Sequence, residues 1–293
     1  MLLLVDLDGV VYRGSTPVPG MADVLARRAA AGDELVYVTN NSMHYRADYV
    51  TRLQALGAPV HPDRIVTSAR ATALHFQLEA PEVRRVLVVG ASGLEREMRD
   101  VGLEVVTVAH VATRMSQEGL DGSAAAGAPD AVVCGLDPQL TYLRLAAAAD
   151  CIRAGSAFVA TNADPVFPTE RGLRPGAGSI VAALEKTTGV TPLTIGKPGP
   201  KLFELAAAAA GAHAADAVVI GDNIATDIAG AHAVGARSVL VMTGVTTRAE
   251  LDALAQDRRP TAIAQDAAEL ERVLARMAQE PATTGQAGGA AVR

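Results

Sequence analysis

Hydrophobic positions fall in short apolar runs separated by longer stretches in which apolar residues recur at helical spacing. The runs at 1–5, 34–38 and 65–66 predict strands. Between and after them, helices are predicted over 21–31, 45–56 (ended by Gly57) and 68–78. An order of β-α-β-α-β-α is the signature of a parallel sheet with helices on its faces. The pattern restarts after Pro81, with strands at 86–89, 104–106, 131–134 and 157–160 and helices over 92–101, 139–153 and 178–188. From Pro192 the alternation resumes: strands at 193–195, 217–220 and 238–241, and helices over 201–210, 223–234 and 267–278. The fold class is therefore α/β. Residues 1–81 and 192–280 form a Rossmann-like parallel-sheet core, and 82–191 is a second α/β unit inserted into it. The segment 281–293, rich in Ala, Gly and Thr, is expected to be a disordered tail.

Polar clusters follow several of these strands directly. In an extended chain Asp6 and Asp8 point to the same side with Leu7 turned away, and Gly9 permits a sharp change of direction. Thr39-Asn40-Asn41-Ser42 follows the second strand, Gly196-Lys197-Pro198 the strand at 193–195, and Gly221-Asp222-Asn223 the strand at 217–220. Ligands of parallel sheets collect outside the carboxyl ends of the strands, so these groups can meet although they lie far apart in sequence. Three carboxylates near one point suit a hard cation such as Mg²⁺, and a hydroxyl, an amide and an ammonium beside it supply donors for a phosphate dianion. An Asp carboxylate can act as a nucleophile toward phosphorus, and a second acid two residues on can protonate the leaving alkoxide. Weaker explanations exist for each piece. Asp222 could merely cap the following helix, Lys197 could be a solvated lysine, and Thr39 and Ser42 could be helix caps. Asp227, five residues beyond Asp222, is expected to buttress the site rather than bind metal.

Composition narrows the setting. At 293 residues two domains, or one with a large insertion, are expected; 49% hydrophobic content without Trp and with 3% aromatics means a core of Ala, Val and Leu. A net charge of −6 and no long Lys/Arg block argue against a nucleic-acid partner. The apolar start is too short for a signal peptide or membrane span, so no membrane partner is expected. Cys134 and Cys151 suit neither a disulfide framework nor a zinc site, which points to a reducing, cytoplasmic location. Rival motifs fail on spacing. Lys197 is followed by Pro198 rather than Ser or Thr, Gly176-Ala177-Gly178 lacks the third glycine of a dinucleotide fingerprint, and no Gly-x-Ser-x-Gly elbow occurs.

The opening Asp-Leu-Asp-Gly-Val-Val-Tyr-Arg-Gly, with Thr-Asn-Asn-Ser, Gly-Lys-Pro and Gly-Asp-Asn-Ile-Ala-Thr-Asp in this order, resembles subclass IIA of the haloacid-dehalogenase-like (HAD) superfamily, the NagD and para-nitrophenylphosphatase group. The resemblance implies Asp6 as nucleophile and Asp8 as general acid/base. Thr39, Asn40, Lys197 and, less firmly placed, Asn41 would bind phosphate. Mg²⁺ would be held by the Asp6 side chain, the Asp8 main-chain carbonyl and Asp222. It also implies that 82–191 is a mobile cap, through which some relatives form homodimers, and that the loop from Thr161 to Gly172 helps shape the substrate pocket. Phe167 in that loop stands where some relatives place a polar substrate contact. The expected function is Mg²⁺-dependent hydrolysis of a small phosphorylated metabolite through an aspartyl-phosphate. Glycerol phosphate, phosphoglycolate, pyridoxal phosphate, sugar phosphates and nucleoside monophosphates are all open as substrates. A phosphomutase of the same superfamily is one alternative. A phospho-accepting receiver-like module is another, although receivers place the acid pair and the phosphorylated Asp on different strands.

Overall fold

The structure, a computed structural model, describes residues 1–108, 111, 128–169 and 172–279. The expected tail at 281–293 lies outside them. The first sheet is built around β1 (Leu2–Asp6), which pairs in parallel with β4 (Glu34–Thr39) on one side and β13 (Ala217–Gly221) on the other. Beyond β4 lies β5 (Ile65–Thr67), and beyond β13 lie β14 (Arg237–Val241) and β15 (Ala262–Ala264), all parallel. Strand order thus reverses at β1, which opens a crevice at the carboxyl ends of β1, β4 and β13.

Both faces of this sheet are covered, so its strands are almost continuously apolar. Leu3 and Val5 face one way, onto α1 (Met21–Ala30), Leu53 of α2 (Arg46–Ala55) and the final helix, α10 (Ala267–Gln279). Leu2 and Leu4 face the other way, onto α3 (Ser68–Glu79) and the Ala-rich α7 (Pro200–Ala209). With few aromatics, the core depends on close approach. Gly230, for instance, leaves room for the Phe203 ring, which comes within 2.2 Å of where a Cβ would stand.

A second parallel sheet runs β12-β9-β8-β6-β7. Its strands are β6 (Arg85–Val89), β7 (Glu104–Val106), β8 (Ala131–Cys134), β9 (Ala157–Ala160) and β12 (Leu193–Thr194). One face packs on α5 (Tyr142–Arg153) and α6 (Ala177–Thr188). The other joins α4 (Ser92–Asp100) and α3 in a cluster continuous with the first sheet: Phe76, Val86, Leu94 and Val133 share it with Leu2, Leu4 and Val36.

The boundary expected at 191/192 falls just ahead of β12. Leu193 and Thr194 pair with Val159 and Ala160, so the chain leaves the second sheet only after Thr194. Apolar patterning identified a strand at this position, but a two-residue strand carries no signal of which sheet will accept it. The helix expected over 223–234 is instead a π-helical turn, Ile224–Ile228, followed by α8 (Ala229–Ala233). The elements predicted from sequence did not include the hairpin of β2 (Tyr12–Arg13) and β3 (Thr16–Pro17), the hairpin of β10 (Val166–Thr169) and β11 (Gly172–Pro175), α9 (Arg248–Asp252) or β15, all of them short. Among the described residues no helix is long and apolar enough to cross a membrane.

Candidate active site

Asp6 is the last residue of β1 and is buried at 6% exposure, while Asp8 lies two residues on at the solvent edge. The chain turns between them and Tyr12: the N–H groups of Val10, Val11 and Tyr12 converge on the Leu7 carbonyl, and Gly9 takes a φ of 81°. Only glycine fits there, for two reasons. The φ is left-handed, and a Cβ would come within 2.2 Å of Asp222 Oδ2. Gly244, next to Gly9, is pressed against the same carboxylate. The Val245 N–H donates to Asp222 Oδ2 at 2.7 Å, so Asp222 is fixed by backbone rather than serving as a helix cap. The cap of the following turn is Asn223, whose Oδ1 accepts from the Ala225 N–H at 2.8 Å.

Lys197 crosses this group of acids. Its Nζ donates to Asp6 Oδ1 at 2.5 Å and to Asp227 Oδ1 at 2.6 Å, and the residue is 4% exposed, so it is not a solvated lysine. Carboxylate oxygens of Asp6, Asp222 and Asp227 all lie within 4.8 Å of one another. Burial is the largest influence on Asp6 and on Asp222. It raises the Asp6 carboxyl well above the ordinary range, with Lys197 pulling it down and Asp227 and Asp222 pushing it further up. Asp222 is pushed up to about 6 by burial and by Asp227, against the Val245 N–H. Burial disfavours the Lys197 ammonium, but Asp227 and Asp6 more than offset it and hold the charge on. Three carboxylates against one ammonium leave two negative charges uncompensated. An all-oxygen set with that charge fits a divalent hard cation. Asp8 is also raised by burial, opposed by Arg52 and the Gly14 N–H, which favours a carboxyl able to hold a proton.

Asn40 ties three loops together. Its Oδ1 accepts from the Lys197 N–H at 2.8 Å, while its Nδ2 donates to the Lys197 carbonyl at 3.0 Å and to both Asp164 oxygens at 3.1 Å. Its own carbonyl accepts from Ser68 Oγ at 2.6 Å and Asn162 Nδ2 at 2.7 Å. Gly196 permits the crossing, since a Cβ there would meet the Thr161 carbonyl at 2.5 Å and Asn40 Oδ1 at 2.6 Å.

Two family models cover the chain, a haloacid dehalogenase-like hydrolase model over residues 3–104 and a HAD-hydrolase-like model over 194–270. The chain is 38% identical over 292 residues to the D-glycerol 3-phosphate phosphatase of Mycobacterium tuberculosis, covering 99% of this chain and 77% of that protein. The chain belongs to the haloacid-dehalogenase-like hydrolases. An acid sugar phosphatase of Staphylococcus aureus is 34% identical over 83% of this chain and 87% of its own length. The fold matches a p-nitrophenyl phosphatase from Archaeoglobus fulgidus with a TM-score of 0.81 at 30% identity, covering 93% of this chain and 98% of that one. It also matches the magnesium complex of the Mycobacterium tuberculosis glycerol phosphate phosphatase with a TM-score of 0.78 at 38% identity, covering 92% of this chain and 75% of that one. These are subclass IIA phosphatases, with a HAD core and an inserted cap. This HAD hydrolase is accordingly a phosphatase of that subclass.

Within this HAD site the sequence-predicted residues fall into two groups. Asp6, Lys197, Asp222 and Asp227 meet directly, and Thr39 is buried at the end of β4 beside them in the sheet, its Oγ1 accepting from the Asn41 N–H at 3.2 Å. Asp227 sits closer in than its spacing suggested, because the π turn swings it back against Gly221; its Oδ2 also accepts from the Asn223 N–H at 3.1 Å. Asn40 and Asn41 are turned to protein partners: the Asn41 Oδ1 accepts from the Met43 N–H at 2.9 Å. Phe167 is half-buried on β10, opposite Arg174 and three residues beyond Asp164. Asp164 itself was not singled out by sequence reasoning. The signal was present, since an Asn-x-Asp run follows β9 much as Asp-x-Asp closes β1. Ser68 opens α3 but does not cap it. That role falls to Thr67, whose Oγ1 accepts from the Arg70 N–H at 3.0 Å, leaving Ser68 for Asn40.

Proposed function

We propose that this phosphatase hydrolyses small polyol and sugar phosphomonoesters with Mg²⁺ as its metal and an aspartyl-phosphate as intermediate. The observation that carries the reading is the buried Lys197 ammonium bridging Asp6 and Asp227 beside Asp222. Glycerol 3-phosphate is the first substrate to test, because the relative that aligns over 99% of the chain is a D-glycerol 3-phosphate phosphatase.

Lys197 holds one oxygen of Asp6, favours its ionised form against the burial that raises the carboxyl, and orients it at the strand end. The Asp6 carboxylate attacks phosphorus while the ester oxygen departs with a proton from Asp8; Asp8 then takes a proton from the water that attacks the acyl phosphate, which releases inorganic phosphate and regenerates Asp6. Asp6 and Asp222 side chains and the Asp8 carbonyl would hold the cation, which when bound supplies charge neutralisation for the phosphoryl oxygens. Lys197 and Thr39 add donors to the same phosphate.

The test is phosphate release from purified protein across glycerol 3-phosphate, phosphoglycolate, pyridoxal phosphate, sugar phosphates and nucleoside monophosphates, with Mg²⁺ and after chelation. Turnover of polyol or sugar phosphates that stops on chelation supports the reading. Equal activity after chelation overturns the metal role, and transfer to a sugar hydroxyl rather than water would make the protein a mutase.

A further inference from the structure

We propose that Asp164, on the cap loop after β9, is a positioning residue for the phosphatase reaction: it orients the Asn40 side chain, and through Asn40 it sets Lys197 against Asp6. The proposal rests on Lys197 and Asp6 acting as described above, and it deepens that reading.

The hydrogen bonds admit one orientation of the Asn40 amide. Oδ1 must face the Lys197 N–H, and Nδ2 must face two acceptors, the Lys197 carbonyl and the Asp164 carboxylate. Flipping the amide would set oxygen against the Asp164 oxygens and against a carbonyl, which is repulsive on both counts. Asp164 is the charged group that, with the Lys197 carbonyl, polarises and aims the amide, and the amide in turn grips Lys197 by both its backbone N–H and its carbonyl. That grip matters because β12 hands Lys197 over from the edge of the second sheet, with only Ile195 and Gly196 between the strand and the lysine.

The Asp164 loop is itself held from behind. The Asp164 N–H donates to Asn162 Oδ1 at 3.1 Å, and the Asp164 carbonyl accepts from the Gly178 N–H at 2.9 Å. Gly176 and Gly178 at the start of α6 pack so closely that a Cβ on either would lie 2.3 Å from the Asp164 or Ala163 carbonyl. Asn162 Nδ2 meanwhile reaches the Asn40 carbonyl. The Gly-rich run at the start of α6, which lacks the dinucleotide fingerprint, is thus the seat of a loop whose Asn162 and Asp164 side chains both end on Asn40. Docking of the cap and alignment of the lysine become one event.

The experiment is steady-state kinetics on p-nitrophenyl phosphate with Mg²⁺ for wild type, Asp164→Ala, Asp164→Asn, Asn40→Ala and the Asp164→Ala/Asn40→Ala double variant, with thermal melts of each. Asp164→Ala is expected to lower kcat about tenfold or more with KM changed less than about threefold. Asp164→Asn keeps one acceptor for Asn40 and is expected to recover to within about threefold of wild type. In the Asn40→Ala background, removing Asp164 should change kcat less than about twofold, because the relay is already broken. Asp164→Ala within twofold of wild type, additive effects in the cycle, or loss confined to KM overturns the proposal. Full activity in Asn40→Ala would also overturn the reading of Lys197 on which it rests, whereas failure of the Asp164 variants alone would leave that reading intact. Should Asp164→Ala not fold, the same cycle run with Asp164→Ser decides between the same outcomes.

Discussion

Replacing Gly196 by Ala tests whether Lys197 is held by steric necessity as well as by hydrogen bonds. The added Cβ would lie 2.5 Å from the Thr161 carbonyl oxygen and 2.6 Å from Asn40 Oδ1, where real Cβ contacts do not fall below 3.0 Å and are ordinary from 3.4 Å. Relief therefore needs a shift of roughly 0.5–0.9 Å, and neither neighbour is a flexible side-chain end. The Thr161 carbonyl is backbone, and Asn40 Oδ1 is the acceptor of the Lys197 N–H. Overpacking of this kind costs about 1–3 kcal/mol of stability. Misplacement approaching 1 Å at a catalytic group costs up to about 10²-fold in rate. Gly196→Ala is thus expected to fold with a modestly lowered Tm and to lose about 10–100-fold in kcat on p-nitrophenyl phosphate. The matched control is Gly189→Ala. Gly189 ends α6 at a φ of 74° with open space around its Cβ position, so the variant should lose about 1 kcal/mol while kcat stays put. A Gly196→Ala enzyme with kcat within twofold of wild type would refute the reasoning.

Three further outcomes are expected. Asp6→Asn should cut turnover at least about 10³-fold while thermal melts show an intact fold, and near-full activity would remove Asp6 as nucleophile. For Asp222, the folded value of about 6 lies above its ordinary 3.8. The metal-free protein should therefore lose stability as pH rises from about 4 to beyond 6, by up to about 2–3 kcal/mol. Mg²⁺ should raise Tm more at pH 8 than at pH 5, because protons compete with the cation; an equal rise at both would contradict the acid cluster as its site. Glu97 of α4 is wholly buried and accepts from both the Arg46 side chain and, at 3.3 Å, its backbone N–H. Glu97→Ala should destabilise the chain by about 3 kcal/mol in urea unfolding, against under about 1 for Asp100→Ala at the exposed end of the same cluster. A loss below 1 kcal/mol for Glu97→Ala would remove that ion pair as a core-to-cap fastening.

Much of the fold follows from local pattern alone. A strand such as Leu2–Asp6 is apolar at every position but its last, and a buried parallel strand must be so, because both its faces are covered. The same logic located Asp6, Thr39 and Asp222, since a polar residue directly after such a run can only lie at a strand's carboxyl end. Periodicity, however, reports whether a segment is buried, not against what. Leu193–Thr194 reads as a strand by composition, yet only the three-dimensional pairing assigns it to β9 and the second sheet. Asp227 illustrates the same limit: helical spacing placed it behind the site, while the π turn packs it against Gly221 and onto Lys197. Asn40 looked like a free donor in the sequence. Its partners Asp164 and Lys197 stand 124 and 157 residues away, and only tertiary structure could decide that its amide is spent on them. The sequence by itself determined which groups can do chemistry and which ends of strands carry them. Long-range contact decided which of those groups hold one another, because hydrogen-bond partners are chosen by distance in space and leave no trace in the spacing along the chain.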